Sequence, residues 1–344
     1  RTTKFHPEES GIEEAKYALK AEDSETKYKI SELNNEDDIR AFRQTYAFDI
    51  KTKACDTIRC ILPASTLTNV GIFGNGRFFQ GLLSSLYSDN LSESNDIAPK
   101  IHKELNKFIP LYVERANYNR YLAQTRDSIQ DLADRLLVNL PAEEENDVTF
   151  LENRPEEYTK NLAAQMLYEY SIHPLRQLRH FVKVILNNEK IKEIIDTYIG
   201  ERKNRRDRPG RALEVGYPFT FDLIGNFGIY RDLHRERMKT QQRQRFTTRL
   251  GRDIPEEIQE IGWKDRVNEC FLKSESLYEK LLPEYREESQ YVVLFGHKIR
   301  WSQGENLREL MHELELRTIP QGHPSYRKIC QEMHKKIIEY NPLI

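Results

Sequence analysis

Residues 305–317 read ENLRELMHELELR, and this stretch of the sequence says most about the fold. Apolar residues recur in it every three or four positions: Leu307, Leu310, Met311 and Leu314. This spacing predicts an amphipathic helix with one apolar stripe facing a core. Four polar residues flank the stripe: Asn306, Arg308, His312 and Arg317. Polar side chains at such a border either pair within the fold or bind a ligand, and spacing alone leaves both open.

Composition excludes several broad classes of protein. The 344 residues are 38% hydrophobic and 31% charged, which is typical of a globular chain with room for one large or two ordinary domains. No apolar run has the length of a membrane span, so we expect no membrane partner. The formal net charge of −2 predicts no partner by itself, and local clusters must be considered instead.

Metal and disulfide chemistry have little support in the sequence. The chain has four scattered cysteines: Cys55, Cys60, Cys270 and Cys330. They show neither metal-ligand spacing nor a disulfide framework, which indicates free thiols in a cytoplasmic protein without a metal. His173 and His180 are seven residues apart, with no carboxylate at ligand spacing between them.

The hydrophobic pattern predicts an α+β fold that is mostly helical with a small antiparallel sheet. Apolar block 48–87 should contain a helix end, an irregular connection and a new helix. Residues 215–223, VGYPFTFDL, alternate as a half-buried strand does, and Pro218 predicts an edge strand or a bulge. Helices are expected over 97–139, 157–201, 224–240, 257–290 and 305–340.

Two stretches of the chain repeat the same order of features. The first stretch contains Arg59-x-x-Leu-Pro followed by Asn75-x-Arg77, and it aligns with residues 290–308, which end in Asn306-x-Arg308. Further along the chain, residues 98–105 align with residues 326–333. We therefore expect two related halves. The predicted organisation is the C-terminal part of a first, degenerate repeat over 1–140, an acidic linker over 141–156 and a second repeat over 157–344. Because the chain starts RTTKF, we expect it to begin within the first repeat.

Basic residues concentrate in two segments. Residues 201–211 carry six Arg or Lys against two acids, and 231–252 carry eight against two. Such local excess suits a polyanion, either nucleic acid or a phosphorylated cofactor and substrate, although a solvated face explains 201–211 equally well. The glycine-rich 71–77, GIFGNGR, lacks the dinucleotide-binding order and is interpreted as a loop.

These motifs together resemble those of the flavin-dependent thymidylate synthases. Residues 305–317, followed by PQGHPSYRKICQEMHKKI, resemble the C-terminal signature of that family. Residues 213–238 resemble the strand and helix that lead into its R-H-R motif, and 59–77 resemble its R-x-x-LP…N-x-R segment in a second copy. The resemblance therefore covers nearly the whole chain as a divergent tandem version of the family.

The resemblance implies a role for each matching residue. Arg317 matches the arginine that holds the uracil ring, and Arg237 matches an arginine of the R-H-R motif. These two arginines are the candidate catalytic residues. Six residues match cofactor positions: Arg235, Asn306, Arg308, His312, Asn75 and Arg77. Arg59 matches the arginine for the substrate phosphate, while Arg243 and Arg245 add positive charge near the altered phosphate site.

The sequence departs from the family pattern at several of these positions. The R-H-R-x7-S-x-R pattern would require His, Ser and Arg where this chain has Glu236, Arg245 and Thr247. Four further departures are Val215 for His, Gln290 for the phosphate arginine, and Gly81 and Leu86 for the His and the uracil arginine of the first copy. Neither copy is complete. Each lost charge-assisted bond costs about 1.5–3 kcal/mol of binding free energy.

The family resemblance implies an enzyme that transfers a one-carbon unit reductively to C5 of a deoxyuridylate-type nucleotide. FAD would be the cofactor, with NADPH and methylenetetrahydrofolate as co-substrates, and a homo-oligomer would be expected because sites in the family form where subunits meet. The alternative is a catalytically degenerate homologue that binds a nucleotide or nucleic acid through 201–211 and 231–252, or serves as a structural subunit. The altered positions favour the alternative, and the retained Asn306, His312 and Arg317 favour the enzyme.

Overall fold

The computed structural model describes residues 7–18, 26–137, 139, 144–151, 155–168, 171, 173–200, 210–214, 218–319 and 322–342. Most of the basic segment 201–211 and Val215 lie outside these residues. The α-helices are α1 (Pro7–Glu14), α2 (Glu36–Ile58), α3 (Gly76–Tyr87), α4 (Ser92–Leu105), α5 (Pro110–Val113), α6 (Arg120–Leu137), α7 (Pro155–Tyr168), α8 (Leu175–Val184), α9 (Asn188–Ile199), α10 (Phe227–Leu233), α11 (Glu256–Glu260), α12 (Lys264–Leu281), α13 (Leu307–Arg317) and α14 (Pro324–Tyr340).

The four strands are β1 (Val148–Phe150), β2 (Phe219–Asn226), β3 (Thr240–Arg243) and β4 (Lys298–Glu305). They form one sheet in the order β1-β2-β4-β3, and every neighbouring pair is antiparallel. The mainly helical fold with a small antiparallel sheet confirms the predicted class. No helix among the described residues is long and apolar enough to cross a membrane.

The described residues fall into two compact units. Unit 1 comprises those within 1–62, 145–275 and 293–344, and unit 2 those within 63–144 and 276–292. Within the segment expected to be a linker, 148–150 form strand β1. The division into two repeats stays a prediction.

Two local expectations around β2 were wrong. The strand is central rather than at an edge, because Pro218 directly precedes Phe219 and its missing N–H falls outside the ladder. Residues 224–240 are not one helix: β2 continues through Asn226, α10 follows, and β3 begins at Thr240. The pairing of Ile224 and Gly225 with β4 extends the strand there.

One face of the unit 1 sheet carries its main core. Phe219, Phe221 and Leu223 of β2 alternate inward, as do Ile299 and Trp301 of β4. Helices α13 and α14 contribute to the same core, through residues that include Leu307, Leu310, Leu314, Ile329, Met333 and Ile337. The apolar stripe predicted for 305–317 is therefore confirmed as the buried face of α13.

Unit 2 is helical and has a small core. Its main apolar cluster comprises Leu83, Val113 and Ala116, with Phe79 and Ile101 packed against them. The expected break in apolar block 48–87 is confirmed, because α2 ends at Ile58, and α3 begins at Gly76 after an irregular connection.

Candidate functional site

Helix α13 begins at an asparagine that serves as its N-cap. The Asn306 side-chain oxygen accepts a hydrogen bond from the Glu309 N–H at 2.9 Å, and the residue is buried. Asn75 caps α3 of unit 2 in the same way, through the Phe78 N–H at 2.9 Å. This bond satisfies a helix N–H that would otherwise lack a partner. Both N-x-R segments thus have a local structural reason for their asparagine.

Arg317, the predicted uracil-binding arginine, lies at the other end of α13 and faces a carboxylate. Its Nη2 donates to Oε1 of Glu236, which follows α10, and the two side chains are 13% and 9% exposed. Its guanidinium also lies 5.8 Å from the centre of the Tyr326 ring. Burial lowers the pKa of Arg317, but the hydrogen bond and charge of Glu236 outweigh it and leave the pKa above its ordinary value.

Glu236 also faces His312 on the same helix. Its Oε2 lies 3.8 Å from Nε2 of His312, whose side chain is 41% exposed. The carboxylate therefore lies within reach of two residues that the family resemblance assigns to ligand contacts. By the family resemblance a histidine is expected at this position, where this chain has a carboxylate.

The other predicted site residues are distributed over several clusters. Arg308 pairs with Glu214, away from the Arg317–Glu236 contact. Arg59 and Arg235 meet at Asp232, at 3.9 and 3.7 Å from its two carboxylate oxygens. This contact brings the phosphate arginine predicted for the first copy to helix α10.

The remaining predicted residues are basic side chains on or near the surface, together with one cap. Arg237 is exposed, and the Arg243 guanidinium lies 4.3 Å from the centre of the Phe246 ring. Arg245 is half-buried two residues after β3. Asn75 and Arg77 belong to unit 2 and are described apart from the others. The structure therefore brings together Arg317 and His312, and separately Arg59 and Arg235.

Comparison with known proteins identifies the family. The model of the thymidylate synthase complementing protein family matches residues 157–343, which is more than half of the chain. The chain belongs to this family. The resemblance found in the motifs is thereby confirmed, while the tandem arrangement is not tested by this match.

Curated relatives of this family member are longer than the chain itself. A UPF0159 protein of Chlamydia muridarum is 36% identical over 308 residues, covering 87% of this chain and 58% of the relative. A UPF0159 protein of Thermoplasma acidophilum is 28% identical over 314 residues, covering 87% of this chain and 60% of the relative. The chain thus spans a little over half the length of these relatives.

A solved structure shows a distant likeness. The crystal structure of a UMP/dUMP methylase PolB from Streptomyces cacaoi bound with 5-Br dUMP is 16% identical, with a TM-score of 0.42. The structural alignment covers 59% of this chain and 94% of the methylase chain. This likeness is too low in identity and TM-score to bear on the activity of the family member described here.

Beside the predicted residues, the chain has a buried polar cluster that the sequence analysis did not predict. Lys239 Nζ lies 2.8 and 2.9 Å from the two Glu313 oxygens and 3.1 Å from Gln303 Oε1, and the Lys239 and Glu313 side chains are inaccessible to solvent. Gln303 Nε2 donates to Glu305 Oε1 at 3.1 Å and to Glu313 Oε2 at 3.2 Å. Lys239 belongs to the basic segment 231–252, but it pairs with Glu313 inside the fold instead of adding to an exposed positive surface.

Glu305 is the most perturbed acid of this cluster. Burial raises the pKa of Glu305 well above its usual range, and the negative charge of Glu313 raises it further. Its Oε2 is buried and has no hydrogen-bond partner within the part of the chain that the structure describes. Gln303 and Glu305 occupy alternate positions on the inward face of β4. This spacing would have predicted the cluster from the sequence, but β4 itself was not predicted.

Proposed function

We propose that this protein is a FAD-dependent enzyme of the thymidylate synthase type. It would transfer a one-carbon unit reductively to C5 of a deoxyuridylate-type nucleotide, with NADPH and methylenetetrahydrofolate as co-substrates. The observation that carries the proposal is the family match over residues 157–343, within which His312 and Arg317 of α13 both face Glu236. The proposal includes a cytoplasmic homo-oligomer, as the family resemblance implies.

Three basic side chains of this chain have the chemistry to hold a flavin. A flavin nucleotide carries a diphosphate, which requires cationic donors that solvent can reach. Arg235 is 69% exposed with a contact of 3.7 Å to Asp232, Arg237 is exposed, and His312 presents a partly exposed ring. Arg235 and Arg237 would hold the diphosphate, and His312 would donate to the ring system. The bound flavin would supply the hydride that reduces the transferred carbon.

Arg317 would orient the pyrimidine and stabilise negative charge on it. Its Nε is buried and has no hydrogen-bond partner among the described residues, so a pyrimidine carbonyl oxygen would satisfy it. Its Nη2 is engaged by Glu236. A nucleotide must therefore share Arg317 with Glu236 or displace that carboxylate, and this competition should weaken nucleotide binding.

The second candidate function is a catalytically degenerate homologue that binds a nucleotide or nucleic acid, or serves as a structural subunit. The ion pairs of Arg317 with Glu236 and of Arg308 with Glu214 favour it, because neutralised arginines no longer attract an anion. Nucleic-acid binding would use 201–211 and 231–252, although Lys239 and Arg252 of the second segment already pair with Glu313 and Glu275.

The visible absorption spectrum of the purified protein tests the proposal. We expect a bound-flavin spectrum that shifts on addition of dUMP, followed by methyl transfer when NADPH and methylenetetrahydrofolate are supplied. Arg317→Ala should abolish the dUMP shift while leaving the flavin spectrum, and Arg40→Ala, on the exposed face of α2, should leave both. A colourless protein that ignores added FAD would favour the degenerate homologue.

A further inference from the structure

Residues 236–239 lie between helix α10 and strand β3 and belong to no helix or strand themselves. Two of their side chains are buried: those of Glu236 and Lys239 are 9% and 0% exposed. The side chains of Arg235 and Arg237, on either side of Glu236, are exposed. Because no helix or strand ladder fixes this loop, the contacts of its buried side chains decide where the two arginines lie.

Helix α13 supplies the partners of both buried side chains from one face. Glu313 and Arg317 are four residues apart, so they lie one turn apart on the same side of the helix. Lys239 Nζ bonds to both oxygens of Glu313, at 2.8 and 2.9 Å, and Arg317 donates to Glu236. The loop is thereby tied to α13 at two points, about 6 Å apart along the helix axis.

The two points have opposite charges. Glu313 of the helix faces a cation of the loop, whereas Arg317 faces an anion. A loop that exchanged the positions of its two buried side chains would place Glu236 against Glu313 and Lys239 against Arg317. Like charges brought together at a buried site are strongly unfavourable. The charge order therefore gives the loop one favourable placement against α13.

Gln303 of β4 completes the surroundings of Lys239. Its Oε1 accepts from Lys239 Nζ at 3.1 Å, and its Nε2 donates to Glu313 at 3.2 Å. These bonds leave Lys239 unavailable to a ligand, although it lies in a basic segment. A buried ion pair contributes little more to stability than apolar residues of similar size would. The value of the Lys239–Glu313 pair therefore lies in the position that it fixes.

We propose that Lys239 and Glu313 are positioning residues of the flavin site. By fixing residues 236–239 against α13, they hold Arg235 and Arg237 ready for the flavin diphosphate. This inference rests on the proposed function, in which those two arginines bind the diphosphate. The Arg235 side chain is 69% exposed and Arg237 is exposed too, so an anion in solution can reach both. A loop that is already in place loses less conformational freedom on binding, which raises the affinity for the ligand.

Titration of the full chain with FAD, followed by flavin fluorescence, tests the proposal. Lys239→Met combined with Glu313→Leu should raise the Kd for FAD by ~10–100-fold while the protein stays folded by circular dichroism. The matched control, Lys190→Met combined with Glu193→Leu, removes an exposed pair of α9 and should leave the Kd unchanged. A buried double variant that binds FAD like the unmodified protein would overturn the positioning role alone. An unmodified protein that binds no FAD would overturn the proposed function and this role together.

A cycle with Arg237 separates positioning from a general loss of stability. Arg237→Ala should weaken FAD binding by ~10-fold in the unmodified protein but by less than ~3-fold in the buried double variant, where the guanidinium is already misplaced. Equal losses in both backgrounds would show that Arg237 acts independently of the pair, and would contradict the proposal. Should the double variant not fold, Lys239→Met alone at pH 6 replaces it, because Glu313 without its counter-charge can take up a proton.

Hydrogen exchange in the absence of FAD gives a readout that does not depend on the flavin. Peptides covering residues 236–239 should exchange ~10-fold faster in the buried double variant than in the unmodified protein, because the loop has lost one of its two ties to α13. Peptides of α9 should exchange equally in both proteins. Unchanged exchange of 236–239 would show that the Lys239–Glu313 pair does not fix the loop.

Discussion

At the scale of single residues, Glu236 determines how free the candidate ligand residues of helix α13 are to bind an anion. It accepts from Arg317 and lies 3.8 Å from His312, so two candidate ligand residues share one carboxylate. Breaking a largely buried ion pair leaves the other charge without compensation, which costs more than the pair contributes. Glu236 is therefore both a structural partner of α13 and a competitor of any anion at Arg317.

The contribution of the Arg317–Glu236 pair is measurable by a double-mutant cycle. Arg317→Ala and Glu236→Ala should each lower the free energy of unfolding by about 2–3 kcal/mol, and the double variant should lose less than the sum, with a coupling of about 2 kcal/mol. Urea unfolding followed by circular dichroism checks this. Arg235→Ala, at an exposed pair, should cost no more than about 0.5 kcal/mol. Additive losses would show that the two side chains do not interact.

Glu305 should make stability depend on pH. Its raised pKa means that the folded protein keeps a proton which the unfolded chain releases above its ordinary pKa, so the stability from this group is present at acidic pH and is lost as the pH rises. Glu305→Gln mimics the neutral acid. The variant should therefore gain stability relative to the unmodified protein as the pH rises from about 5 to 8, by up to about 1.4 kcal/mol per pH unit.

Urea unfolding at several pH values between 5 and 8 tests the Glu305 prediction. Exposed Glu256→Gln on α11 is the matched control and should show no such trend. A constant difference between Glu305→Gln and the unmodified protein across this range would mean that Glu305 is ionised throughout.

At the scale of elements, the buried Lys239–Glu313 pair links the start of β3 to α13. Lys239 directly precedes Thr240, the first residue of β3, and Glu313 lies on the buried side of α13. Gln303 of β4 bonds to both, so three elements meet at one polar cluster. The segment 235–239, which includes Glu236 and Arg237, is thereby held beside α13.

Removing one partner of this pair should be more damaging than removing both. Glu313→Gln leaves the Lys239 ammonium buried without its counter-charge and should cost about 3–5 kcal/mol of unfolding free energy. Lys239→Met combined with Glu313→Leu removes both charges and should recover most of that loss. Thermal unfolding of the single and double variants provides the measurement. A double variant as unstable as Glu313→Gln would show that the cluster contributes through shape rather than charge.

At the scale of the whole molecule, the two compact units differ in core size. Unit 1 contains a large sheet-and-helix core, whereas the main cluster of unit 2 is built on Leu83, Val113 and Ala116. Buried apolar area supplies most of the stability of a domain, so unit 2 should open at lower free energy than unit 1.

Denaturant unfolding should therefore show two transitions. Leu83→Ala should lower the free energy of unfolding of the first transition by about 3 kcal/mol and leave that of the second unchanged. Phe221→Ala should lower the free energy of unfolding of the second transition by about 4 kcal/mol. Hydrogen exchange at increasing urea concentration assigns each transition to its unit. One cooperative transition shifted by both substitutions would show that the units unfold together.

Local patterns in the sequence determined several features of this protein. The stripe of Leu307, Leu310 and Leu314 predicted the buried face of α13, and the alternation of Phe219, Phe221 and Leu223 predicted β2. The motifs around them identified the family. These features were readable because helix and strand periods, and the cap by Asn306, involve residues only a few positions apart.

Tertiary structure alone decided what the charged residues contact. Glu236 meets Arg317 across 81 positions, and Lys239 meets Glu313 across 74. The strand β4 that places Gln303 and Glu305 inside was not predicted, because its inward face becomes polar. Whether a basic residue is a free anion ligand or half of a buried pair depends on which distant carboxylate the sheet order and helix packing bring to it, and no local period encodes that contact.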